Sequence, residues 1–267
     1  MLEEGLAASR ELGDNERSST ALYNLGEVLR WQGELKAART MYQQSEDLSK
    51  QIGDQSGVAY AMFSLGDVST AEGDLAAARA HYDDSNNLRN QMGEKGNVAE
   101  TQMALAILSI EEGHAVEAAS TLTQVREEFH KEGSADDEIL ADTLLARIYL
   151  SQGKIIDAQK ETAYVHDLSA NSQDFSVRLR ASIGEASVES AAGKSEAAVR
   201  ILDDTIASAK RSGYVEYELE SQFALGVIDR ATGKAAAGQS LLNEVRQKAQ
   251  LKGFHLIANK ASKANTR

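Results

Sequence analysis

ALYNLGEVLRWQGELKAARTMYQQSEDLSKQIGD, residues 21–54, returns in degenerate form every 40 residues along a chain of 267. A fixed period of this length marks a repeat architecture, in which each unit packs on its neighbours and no single core exists. Within the stretch, Leu22, Leu25, Val28 and Leu29 fall at helical spacing, Gly33 interrupts, and Leu35, Ala38, Tyr42, Leu48 and Ile52 begin a second helical stripe. Each unit therefore reads as a helical hairpin. Gly33 recurs as Gly73, Gly113, Gly153, Gly193 and Gly233, and Gly13 as Gly53, Gly93, Gly133, Gly213 and Gly253, with Gln173 the one departure. A glycine at a helix end takes the left-handed cap conformation without steric cost, and Asp54 after Gly53 can accept backbone N–H bonds where the next helix starts. Helix pairs can thus follow one another without linkers.

The composition agrees. Proline and cysteine are absent and aromatic residues make up only 5%, which fits helices joined by glycine turns and leaves little material for strands. Without cysteine there is no disulfide, thiolate chemistry or cysteine metal site, and a cytoplasmic setting is expected. The opening MLEEGLAASRELGD is acidic and amphipathic, and no window approaches the apolar length of a membrane span, so no membrane partner is expected. A net charge of −13 argues against nucleic acid, whose phosphates demand a dense basic surface, and favours a partner with some basic character. Six basic residues and no acid follow Glu244, leaving −19 on the rest of the chain, and a solvated basic terminal helix accounts for them.

The columns of the repeat carry a family resemblance. The small site of the first helix is Gly26, Gly66, Ala106, Ala146, Ala186 and Gly226, and that of the second is Ala38, Ala78, Ala118, Ala158, Ala198 and Gly238. The large site before the first is Leu25, Leu65, Leu105, Leu145 and Leu225 with Glu185 the exception, and the second-helix aromatic site is Tyr42, Tyr82, Leu122, Thr162, Leu202 and Leu242. This pattern resembles the tetratricopeptide repeat (TPR) family, in the extended 40-residue form with Gly-Asp junctions found in kinesin light chains and polarity adaptors. The resemblance implies an all-α fold, a right-handed superhelix of helical hairpins. The family's usual unit-end proline is missing, and the match thins through the middle repeats.

In this register the chain divides into an orphan second helix at 1–14, aligned without gaps to residues 41–54, six repeats over 15–252, and a basic capping helix over 253–267 whose apolar face is Phe254, Leu256 and Ile257. The orphan helix leaves one side bare, which raises two expectations: a missing first helix upstream, and self-association through the exposed side. The Gly-Asp junctions and the closing KGFHLIANKA also resemble the C-terminal arrays of bacterial multidomain signalling proteins such as receptor-like serine/threonine kinases. That resemblance implies, as an alternative, a fragment of a kinase or transcriptional regulator whose catalytic or DNA-binding domain lies outside this sequence. No kinase motif is present here.

Motifs for chemistry fail one by one. Ala192-Gly193-Lys194-Ser195 ends like a phosphate-binding loop, yet Val188 stands where its first glycine belongs, and Gly193 is a hairpin glycine. His81 with Asp83 and Asp84 lies on diverging faces of one helix, and His114, His130, His166 and His255 share no ligand spacing. Paired acids such as Asp83-Asp84, Asp136-Asp137 and Asp203-Asp204 are frequent in a chain with 41 acids and mark no acid–base site. No enzyme activity, cofactor or metal is expected.

Function is expected on the inner surface, where the first helices of a TPR array line a groove for a peptide or protein segment. Counting by the family register, Thr20, Tyr23, Asn24, Glu27, Arg30 and Trp31 face inward from the first repeat, and Tyr60, Phe63, Ser64 and Asp67 from the second. Met103, Arg147, Ile183, Phe223, Val227 and Arg230 are among the inward positions of the later ones. The peptide-binding set read from the sequence is Tyr23, Asn24, Glu27, Arg30, Trp31, Tyr60, Phe63, Asp67, Met103 and Arg147: aromatics as anchors, Asn24 to bond an extended backbone, and Glu27 and Asp67 to favour an apolar ligand with basic character. The same aromatics at helical spacing are equally suited to packing between helices. The lysine-rich clamp by which chaperone-binding TPR proteins hold a terminal carboxylate has no counterpart.

Overall fold

In the computed structural model, which describes residues 2–266, the regular elements are all helical: the described residues form fourteen helices and no strand. Met1 and Arg267, the outer ends of the orphan helix and of the basic run, lie outside the described residues. A single helix, α1 (Leu2–Glu11), is followed by three hairpins, α2 (Asn15–Trp31) with α3 (Leu35–Ile52), α4 (Gln55–Ala71) with α5 (Leu75–Met92), and α6 (Lys95–Glu111) with α7 (Ala115–Glu132). Three more follow, α8 (Ala135–Ser151) with α9 (Ile155–Ser169), α10 (Phe175–Ala191) with α11 (Ser195–Ser212), and α12 (Val215–Ala231) with α13 (Ala235–Lys252), before α14 (His255–Thr266). The expected all-α array of helical hairpins is what this sequence forms.

The glycines explain the punctuation. All twelve in the two registers have positive φ, for example 73° at Gly33 and 75° at Gly53, where a side chain would be strained. Asp54 accepts from the Gly57 N–H at 2.9 Å and caps α4, as its sequence position predicts. Where Gln173 replaces the glycine, α9 stops at Ser169 after 15 residues, whereas α3, α5, α7, α11 and α13 each run for 18. A turn then carries the chain to Asp174, whose carboxylate receives the N–H groups of Ser176 and Val177 and restarts the helical run.

Packing within hairpins follows the two small columns, with a pairing that the columns alone do not reveal. A methyl group added at Gly26 would lie 2.5 Å from Tyr42 Cε1, and one at Gly66 would strike the ring of Tyr82. Where the second helix carries tyrosine the first must carry glycine, since the ring fills the space a Cβ would need. Ala106 and Ala186 instead stand in repeats whose second helices carry Leu122 and Leu202, both fully buried. The buried phenols also need acceptors. Tyr42 donates to Glu27 Oε1 at 2.5 Å and Tyr82 to Asp67 Oδ1 at 2.7 Å, each acid following the glycine its tyrosine covers.

The chain separates into two compact units. The first comprises the residues up to 101 together with 252–256, and the second comprises 102–251 with the residues from 257 on, so α6 and α14 each begin in one and end in the other. In the first, Leu22, Leu65, Tyr42 and Tyr82 are buried, Phe254 is fully enclosed, and Lys252 Nζ meets Glu34 Oε1 at 2.7 Å. In the second, Ile139, Val165, Val177 and Ala181 form one apolar cluster, and Ala186, Ala198, Leu202 and Ile228 another. Asp142 is buried there, 3.1 Å from Arg126 NH1. Burial takes more hydration from this carboxylate than the partly exposed Arg126 restores, which pushes its pKa up to about 6.

Candidate functional site

Helices α2 and α4 place side by side most of the side chains the sequence singles out. Three and four residue steps put Tyr23, Glu27, Arg30 and Trp31 of α2 on one stripe, and Tyr60, Phe63 and Asp67 of α4 on the next. The Tyr23 ring stands 5.8 Å from that of Tyr42 and 6.1 Å from that of Tyr60, and Phe63 stands 5.4 Å from Tyr82. Inter-helix packing thus uses much of this aromatic surface. Tyr60 nevertheless keeps 37% of its area exposed, and Asn24 is exposed outright.

The acids point inward. Glu27 accepts from Tyr42, receives Ser64 Oγ at 3.2 Å, and pairs with Arg30 NH2 at 3.1 Å. Desolvation, then the neighbouring Glu27 carboxylate, pushes both the Tyr23 and Tyr42 phenols far above their ordinary range, so both stay protonated, Tyr42 donating to Glu27 and Tyr23 accepting from Ser64 Oγ at 3.4 Å. Tyr82 is raised in the same way, by burial first and Asp67 second. Trp31 sits half-buried in the last turn of α2. In the second unit Met103 is buried, away from any open surface, while Arg147 is exposed and bonds Glu111 Oε1 at 2.6 Å.

What remains open is a pocket of about 490 Å³ between the start of α4 and the first half of α2. Tyr23, Asn24, Tyr60, Asp54 and Gly57 line it, over a floor of serines. Ser19 Oγ lies 2.6 Å from Ser49 Oγ and 3.2 Å from Ser45 Oγ, a closed hydroxyl cluster that needs nothing further. Gly57 keeps the floor flat, since a methyl group there would stand 2.5 Å from Ser49 Oγ and strike the Asp54 carboxylate. A second hollow of about 750 Å³ begins across Asn24 and Thr20 and runs over α1 past Ala8 and Leu12, so Asn24 borders both. The arrangement offers an apolar wall of tyrosine, a neutral amide donor and acceptor, and hydroxyls at a helix start. Such groups can hydrogen-bond and flank an extended backbone.

Sequence reading missed Arg89. This α5 residue is fully buried, lies 5.0 Å from the Tyr60 ring centroid and 4.7 Å from that of Phe63, and donates through NH1 to the Asn97 carbonyl, Glu100 and Thr101, each at 2.8 Å. It clamps the back of the aromatic wall, a cation–π sandwich that fixes where Tyr60 stands. A lone arginine on a second helix gives no sign of this in the sequence, because its partners come from α4 and α6. Among the described residues no group of three or more His, Asp or Glu side chains could hold a metal ion, and no helix is long and apolar enough to cross a membrane.

The family described as the MalT-like TPR region matches residues 6–260. The chain belongs to the MalT-like TPR family. Among solved structures, this MalT-like TPR chain is similar to a Rap protein complexed with Competence and Sporulation Factor, with a TM-score of 0.67 and 14% identity over 93% of this chain and 74% of that one. NprR in complex with its cognate peptide NprX gives 0.68 and 16%, over 97% and 78%. A tetratricopeptide repeat protein from Parabacteroides merdae gives 0.53 and 15%, over 98% and 97%. At such identities the likeness establishes the fold. No curated protein matches the chain.

Proposed function

We propose that this MalT-like TPR chain is a non-enzymatic scaffold that captures a peptide on the face made by α2 and the start of α4. The observation that carries the reading is the open pocket beneath Tyr23, Asn24 and Tyr60, where an exposed amide stands beside an aromatic wall backed by Arg89. Rigid aromatic surface anchors interfaces at small entropic cost. Asn24 can donate to and accept from one peptide group of an extended ligand. Support comes also from the neighbours: NprR is solved with a cognate peptide, and a Rap conjugation gene regulator with the Phr* peptide. The second of these, a gene regulator held with its peptide, supports reading capture here as a signalling step. Because Arg30 balances Glu27, a preference for basic ligand groups rests on Asp54 and Glu16 around the two hollows rather than on the half-buried, internally bonded Glu27 and Asp67.

The test is a selection of random heptapeptides on the immobilised protein, followed by photo-crosslinking of an enriched peptide carrying benzoylphenylalanine. Adducts on residues 16–24 and 54–63 are expected. Adducts confined to the second helices α3, α5 and α7 would overturn the reading.

A further inference from the structure

The second unit holds an open pocket of about 520 Å³ whose chemistry is opposite to that of the chain as a whole. Its floor is apolar: Phe223 and Val227 from α12 and Leu242 from α13, with Val227 39% exposed. Its charged lining is three cations, Arg230 at the end of α12 and Lys260 and Lys263 on α14, and no acid. On a protein of net charge −13 such a concentration is informative.

The cations are held in place and under-compensated. Arg230 NH1 donates to the Ala264 carbonyl, a neutral acceptor, so its charge stays uncancelled. Lys260 Nζ is 2.7 Å from Glu111 Oε1, but Arg147 binds the same oxygen, and one carboxylate thus serves two cations. Both cations together hold the Glu111 carboxyl below its usual range against the opposing effect of burial, so it is ionised and fully engaged. Among the described residues Lys263 pairs with no carboxylate. The backbone is shaped for this arrangement as well. The second-helix small site is alanine in the five earlier repeats and glycine at 238, and a methyl group there would lie 2.6 Å from the Gly226 carbonyl oxygen and 2.7 Å from Arg230 Cγ and its backbone nitrogen. The backbone of α12 and the stem of Arg230 together occupy the space that alanine fills elsewhere.

We infer that this pocket binds a small amphipathic carboxylate, its apolar body over Phe223, Val227 and Leu242 and its anionic head among Arg230, Lys260 and Lys263. The volume falls within the roughly 300–1,000 Å³ typical of small-molecule sites, and an apolar lining with a few convergent polar groups is their usual make-up. A carboxylate here exchanges water for charge-assisted bonds to cations that lack full partners. This site is separate from the α2/α4 face and stands or falls independently of peptide capture there.

The experiment uses the full chain and octanoate as probe, with octanol, octylamine and acetate as controls, read by calorimetry and by methyl NMR of Val227 and Leu242. Saturable binding at one site is expected for octanoate, with octanol at least tenfold weaker and acetate and octylamine silent. Exposed Lys263 is the informative variant. Lys263→Gln should weaken octanoate about tenfold at unchanged melting temperature, and Val227→Gln should do likewise. Equal affinity for octanol and octanoate, shifts spread over several sites, or unchanged affinity in Lys263→Gln would overturn the assignment. So would tighter binding of acetyl-Ala-Ala-Leu with a free carboxyl terminus, because that result assigns the pocket to a peptide end.

Discussion

At the scale of single residues the array runs on exchanges of volume and of protons. Gly26 exists for the Tyr42 ring, so Gly26→Ala should destabilise the chain by about 1–3 kcal/mol, the usual cost of overpacking. The loss should be largely recovered in Gly26→Ala/Tyr42→Leu, which recreates the Ala186–Leu202 combination, and a double-mutant cycle in urea measures it. Additive losses would contradict the pairing. Asp142 supplies a pH signature. Its carboxyl is raised to about 6 in the folded chain, against about 3.9 for an ordinary aspartate. Between those values the unfolded chain has given up the proton that the folded chain keeps, so this group's contribution falls as pH rises from about 4 to 6 and is flat beyond. Asp142→Asn removes that slope. The variant should gain on wild type across this window, by about 1–3 kcal/mol at pH 7, and a gap in melting temperature that stays constant from pH 4 to 7 would contradict it.

At the scale of elements, hairpins are legible in the sequence because their signals are local. The left-handed glycines and the aspartate caps act on their own helix ends, so Gly33, Gly53 and Asp54 could be placed without knowing any neighbour. Gln173 shows the limit of that legibility. Its break in the pattern is visible, but the shortening of α9 and the work passed to Asp174 follow from three-dimensional fitting. Asp174→Ala should cost about 1 kcal/mol, the ordinary value of a lost N-cap, and speed amide exchange at Ser176 and Val177. Exchange unchanged at those two amides would show that the cap is dispensable. The candidate site was legible only in part for a related reason. Family register identifies which residues share a stripe, so Tyr23, Asn24, Tyr60 and Phe63 are correctly gathered on α2 and α4. Whether each stripe residue faces a ligand or a neighbouring ring depends on partners from other repeats. Tyr42, Tyr82 and Arg89 lie on second helices, and they turn Glu27 and Asp67 into internal acceptors and Phe63 into packing. An Asp67 charge reversal would therefore damage the core before it could alter association with a ligand.

At the scale of the whole molecule, repetition explains what could be read and what could not. A period of 40 residues reports contacts between successive elements, and α2 with α3 or α4 with α5 pack as it implies. It is silent on contacts between residues far apart in the chain, such as Lys252 with Glu34 and Lys260 with Glu111, which no spacing rule connects. The charge distribution follows the same divide. The C-terminal basic run reads as a solvated helix in the sequence, whereas the structure sets Lys260 and Lys263 around an apolar hollow.

Peptide capture by the α2/α4 face is the central claim, and Asn24 tests it most directly, because its side chain is exposed and borders both hollows while taking no part in the packing that engages Tyr23. The measurement is the dissociation constant of a selected heptapeptide for wild type and Asn24→Ala, taken alongside the melting temperature of each. The account predicts at least a tenfold loss of affinity, about 1.4 kcal/mol, with melting temperatures that agree. Equal affinity in the two proteins would contradict it.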